Sequence, residues 1–106
     1  MIDEALLARA LAWEDAQSLR DESLEFFPDD GGERGVVLKV VEVSSQGRSG
    51  ETRQFAILFR GPSSPVHPQR IYRFRHARLG DYAFFITPIA QSPEGTDYEA
   101  CFCHAA

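Results

Sequence analysis

A chain of 106 residues, 43% hydrophobic and 25% charged, has the size and composition of one globular domain and not of a disordered or fibrous protein. Its net charge of −5 argues against binding to a phosphate backbone, and no apolar run approaches the roughly 20 residues that span a bilayer, since the best candidate, Ala5 to Trp13, is interrupted by Arg9. The charge is uneven: residues 1–34 carry ten acidic side chains against three arginines, whereas residues 48–80 carry seven arginines against Glu51 alone. Such a chain either satisfies itself by laying its acidic front near its basic middle or stacks head to tail with another copy. The N-terminus, Met1-Ile2-Asp3-Glu4, is acidic where a secretory leader needs positive charge, so a cytoplasmic location is expected.

Asp3 is a candidate N-cap, with Glu4 in the first turn and Leu6, Leu7, Ala10 and Leu11 gathered on one face, which predicts a helix over residues 3–12, within an N-terminal helical segment 1–13. Trp13 to Ala16 either extends it or begins a second turn. The β core is expected over residues 23–104. Ser23 to Phe27 reads as a first strand, ended by Pro28 and the turn residues Asp29-Asp30-Gly31-Gly32. Five valines and Leu38 between Gly35 and Val43 predict a central strand with both faces at least partly covered. Ser44 to Gly50 is small and polar and reads as a flexible connection.

Thr52 to Arg60 alternates cleanly, Phe55, Ile57 and Phe59 on one face and Gln54, Ala56, Leu58 and Arg60 on the other. Gly61 to Pro68 contains three prolines and predicts a long, stiff loop. Ile71 to His76 alternates again, Tyr72 and Phe74 opposite Arg73 and Arg75, and Leu79-Gly80-Asp81 reads as the following turn. Tyr82 to Ile89 is apolar on both faces, and Gln91 to Gly95 turns the chain into a last strand, Asp97 to Cys103. The expectation is a single all-β domain, a six-stranded antiparallel meander closed as a small barrel or stacked as a sandwich, with an N-terminal α-helix.

Candidate chemistry is sparse. Cys101 and Cys103 point to one face of a strand with His104 following, but a zinc site needs about four ligands and only His67 and His76 could add nitrogen donors, so reduced thiols are the simpler reading. No nucleophile, base and orienting acid share a known motif, and no glycine-rich phosphate loop occurs. Neither an enzyme, nor a metal, nor a cofactor is therefore expected. Arginines interleaved with Tyr72 and Phe74 are the best case for a nucleic-acid binder, yet strand alternation sends the aromatics and the arginines to opposite faces.

The second half resembles a family. Leu58-Phe59-Arg60-Gly61-Pro62, Pro68-Gln69 with Tyr72-Arg73 and His76, Leu79-Gly80, Phe84 to Ile89, and Tyr98 to Phe102 look like the signature of a small bacterial domain-of-unknown-function family. The resemblance runs from about Trp13 to Cys103 and is strongest from Phe55 onward. Arg70 stands where a glycine is usual and Ala77 where a proline is usual, which bears on the local turns. The resemblance implies a tendency to be encoded beside phage-tail-collar-like proteins, and with it an accessory or assembly role. The expected function is a non-enzymatic protein-binding module that contacts a phage-tail-collar-like protein or its own copy. Its site would be the 61–70 loop and the adjoining arginine face: Arg60, Pro62, Pro65, His67, Gln69, Arg73 and Arg75. The alternatives are a small ligand-binding or hydrolytic barrel and a weak nucleic-acid binder working through the arginine-rich strand.

Overall fold

The computed structural model describes residues 4–28, 34–49 and 52–105. Asp3, the Asp29-to-Gly32 turn and Gly50 lie outside them, and so do the side chains of Cys103 and His104. Two short helices, α1 (Glu4–Ala8) and α2 (Trp13–Ser18), precede six strands: β1 (Ser23–Phe27), β2 (Val36–Ser49), β3 (Thr52–Gly61), β4 (Arg70–His76), β5 (Gly80–Ser92) and β6 (Gly95–Ala105). The strands pair antiparallel in the order β1-β2-β3-β6-β5-β4, and β4 returns to β1 to close a barrel. Closure leaves every strand with a neighbour on each side for at least part of its length, which is how an antiparallel sheet removes exposed edges.

Period-two alternation decides what enters the barrel. Phe55, Ile57 and Phe59 of β3, Tyr72 and Phe74 of β4, and Tyr82, Phe84 and Ile86 of β5 are all buried. Phe74 sits at the centre: its ring lies 5.6 Å from Phe26, 5.5 Å from Phe59 and 5.0 Å from Phe84. Rings in stacked and tilted arrangements at these spacings gain beyond the area they bury.

The order is not a simple meander. β3 and β4 follow each other in sequence but stand three strands apart in the wall, so residues 62–69 must cross one end of the barrel. The helical start is present and packs on the other end, but the helix expected over residues 3–12 stops at Ala8, and residues 9–12, with Ala12 in an extended conformation (φ −71°, ψ 152°), separate it from α2. That break lets Leu11, Ala16 and Leu19 turn into the core, while α1 buries none of its residues. Trp13 closes the same end, its ring 5.2 Å from Phe55.

Three local expectations are corrected. Ser44 to Ser49 is not a loop: it continues β2, paired with β3 from Ser44↔Ala56 to Ser49↔Thr52, and bulges at Val40/Glu42 and Ser45/Gly47 absorb the poor strand formers. β2 is covered on one face only, since Val37 and Val41 remain 60% and 39% exposed on the outside of the barrel. The turns are tighter than expected: β5 starts at Gly80 and runs through Ser92, so only residues 77–79 and 93–94 remain for the connections around it.

Candidate interaction surface

The crossing loop is tied down and does not project. The His67 N–H donates to the Tyr98 hydroxyl at 3.0 Å, and the His67 ring packs edge-on against Phe26, 5.1 Å away. The Tyr72 hydroxyl donates to the Pro68 carbonyl, and the Ser63 carbonyl accepts from Thr96 Oγ1 and Gln91 Nε2. Burial pushes the Tyr72 phenol above its ordinary pKa, so it stays a hydrogen-bond donor. Tyr72, Tyr98 and Phe26 line the barrel from inside, and the loop therefore forms its lid. Pro62, Pro65 and Gln69 stay exposed on the loop's outer side, while His67 is half-buried beneath it.

The arginines do occupy outer positions, and each has an intramolecular partner. Arg60 forms a two-pronged pair with Asp97 across the β3–β6 ladder, Nε to Oδ1 at 2.7 Å. Arg75 does the same with Asp81 across β4–β5, Nε to Oδ1 at 2.8 Å. Arg73 lies over the ring of Phe27 at 3.8 Å and approaches Asp81 at 3.7 Å. Phe27 points outward from β1 yet is buried, because Arg73 and Arg75 roof it. The Arg75 guanidinium holds the Asp81 carboxyl below the usual carboxylate range, against the smaller opposing effect of burial. Arg73 and Arg75 thus share the β4 wall, whereas Arg60 stands on the far wall where the lid begins.

Sequence reasoning missed two features. The first is apolar: Ile71 and Phe85 face each other across the β4–β5 ladder on the outside, 42% and 50% exposed, and Ile89 and Val66 are also exposed. Alternation already assigns Ile71 to the outer face, and the signal was available there. The second is polar. His76 is buried, its Nε2 2.7 Å from Glu22 Oε1, while Nδ1 accepts the backbone N–H groups of Arg78 and Leu79. No local signal joins residues 54 positions apart.

His67 and His76 occupy opposite ends of the barrel, so they do not converge on the cysteine-bearing strand. Cys101 is a free, exposed thiol, held protonated by partial burial and by the Glu99 carboxylate 3.6 Å away. Among the described residues no three His, Cys, Asp or Glu side chains gather in a metal-binding group, and no helix is long and apolar enough to cross a membrane. A shallow depression beside the lid is lined by Ser63, Ser64, Gln91, Ser92 and Pro93.

No curated protein and no solved structure matches the chain. A family model does, over residues 11–102, which takes in α2 and most of the barrel but leaves out α1. The chain belongs to the family described as Domain of unknown function (DUF6916).

Proposed function

We propose that this domain is a non-enzymatic protein-binding or assembly module, and that its partner docks on the outer β4–β5 wall beside the lid. The observation that carries the reading is the pair Ile71 and Phe85, two large apolar side chains adjacent across a ladder and both about half in water. An aromatic and an aliphatic anchor on a rigid wall, rimmed by Arg70, Arg73 and Arg75, have the makeup of a protein-contact centre, where apolar anchors sit within a polar border.

A ligand-holding or hydrolytic barrel draws less support, because the ring cluster around Phe74 fills the middle and both ends are covered. A nucleic-acid role draws less as well, since Arg60, Arg73 and Arg75 are each engaged with carboxylates or a ring. The family resemblance favours a partner from a phage-tail-like assembly, with a second copy of the chain as the other choice. Co-expression with the products of neighbouring genes tests this: the wild-type chain captures a partner, and the double variant Ile71→Asp with Phe85→Asp captures less. Capture unaffected by the double variant would exclude this wall.

A further inference from the structure

The N-terminal segment grips the 77–79 turn and the start of β5 from two sides, and one imidazole sets the shape of that turn. Arg9, just beyond α1, donates from Nη1 to the Asp81 carbonyl at 2.7 Å and from Nη2 to the Leu79 carbonyl at 2.8 Å, with its guanidinium 3.9 Å above the Tyr82 ring. Glu22, between α2 and β1, accepts from Arg78 Nη2 at 3.0 Å, and Arg78 also reaches the Ser18 hydroxyl. Between these grips, His76 Nδ1 accepts the N–H groups of Arg78 at 3.2 Å and Leu79 at 3.1 Å. An atom that accepts two N–H groups carries no proton, so the ring proton resides on Nε2 and is donated to Glu22.

We propose that His76 is a proton-operated latch on α1: a second proton, at Nδ1, evicts the Arg78 and Leu79 N–H groups, opens the turn and withdraws the carbonyls that Arg9 holds. α1 is the part set free, because it buries none of its residues, whereas Leu11, Ala16 and Leu19 keep α2 in the core. Protonation also turns the His76–Glu22 hydrogen bond into an ion pair. That gain is screened, since the Glu22 side chain is 42% exposed, while the two amides lose their acceptor next to a buried ring.

The neighbouring charges have partners of their own. Glu22 remains ionised through the transition, because its hydrogen bond to His76 and the nearby Arg78 place its carboxyl below the usual range. β1 brings Glu25, in register with Arg75 on the outer wall, and β5 brings Gly80 and Asp81, whose carboxylate is taken by Arg75. Arg78 and Arg9 are the cations that face the turn, held by Glu22 and by the Asp81 and Leu79 carbonyls. α1 and Arg9 lie outside the residues that the family model matches.

Proton NMR of the intact chain tests the latch. Stacking on Tyr82 shields the Arg9 side-chain protons; on titration from about pH 8 to about pH 5, the interval in which histidine changes charge, they move to unshielded positions while the β3–β6 amides stay protected. His76→Asn, whose Oδ1 can stand in for Nδ1 as the acceptor of both amides and takes up no proton, keeps them shielded throughout, whereas His76→Gln, whose amide reaches the Nε2 position instead, unshields them at every pH. Arg9 resonances that do not move in the wild type, or that move equally in His76→Asn, would overturn the proposal. If that variant does not fold, hydrogen exchange on the wild type decides: the Arg78 and Leu79 amides lose protection by about tenfold at the acid end, and undiminished protection there overturns the latch.

Discussion

Phe84 and Phe85 are chemically identical neighbours that β5 sends to opposite sides of the wall, and truncating each in turn isolates what the barrel interior contributes. Phe84 is 3% exposed, with its ring 5.0 Å from Phe74, 5.3 Å from Tyr82 and 5.2 Å from Phe102. Phe84→Ala removes those contacts and leaves a cavity that aromatic neighbours on three strands cannot collapse into, for a loss of about 3–5 kcal/mol. Phe85 is 50% exposed, so Phe85→Ala forfeits only about 1 kcal/mol, half of what full burial of such a side chain brings. For a domain whose total stability is about 5–15 kcal/mol, the first change moves the urea midpoint about three to five times as far as the second, with the slope of the transition unchanged. Phe84→Leu, at about 1–2 kcal/mol, serves if the alanine variant does not fold. Equal losses at positions 84 and 85 would refute the alternation on which the closed barrel rests.

Three further outcomes follow from single contacts. Gly95→Ala destabilises by about 1–3 kcal/mol in thermal unfolding, because Gly95 has φ +152° and an added Cβ would stand 2.6 Å from the Gly61 carbonyl oxygen. Tyr98→Phe removes the acceptor of the His67 N–H, costs about 1 kcal/mol, and raises the rate of limited proteolysis in the 62–69 lid more than elsewhere in the chain. Asp81 has a depressed carboxyl in the folded state, so its stabilising effect is present above the ordinary carboxylate pKa and lost as pH falls through the lower folded value. Asp81→Asn is therefore less stable than wild type at neutral pH, and its urea midpoint falls less steeply below about pH 4; identical slopes in the two proteins would contradict the assignment.

The inner and outer faces of β3 and β4 were legible because side-chain direction there follows from the backbone alone. Phe55, Ile57, Phe59, Tyr72 and Phe74 are inside, with Arg60, Arg73 and Arg75 outside, as alternation requires. Strand order was not legible. Pairing of β3 with β6 is set by packing between residues some 40 positions apart, as in Phe59↔Tyr98, and no local preference encodes it. Ser44 to Ser49 misled for a related reason: a ladder with β3 outweighs weak strand propensity, and the two bulges accommodate it.

The candidate surface divides along the same line. The arginine-bearing face of β4 is evident in the sequence, but its partners are not, because Asp97, Asp81 and Phe27 reach Arg60, Arg75 and Arg73 through cross-strand register. The proline loop was recognisable as a stiff excursion, yet its role as a lid depends on Tyr98 and Phe26, which only the closed wall brings beneath it.

The docking wall is tested most directly by titrating a captured partner against three forms of the chain in a calorimeter. Ile71→Asp with Phe85→Asp places two charges at the proposed contact and raises Kd by at least about tenfold, the equivalent of roughly 1.4 kcal/mol. Val37→Asp, equally apolar and 60% exposed but on the β2 side of the barrel, leaves Kd unchanged. Binding that survives the double substitution, or that is lost on changing Val37, would mean that the β4–β5 wall is not the docking surface.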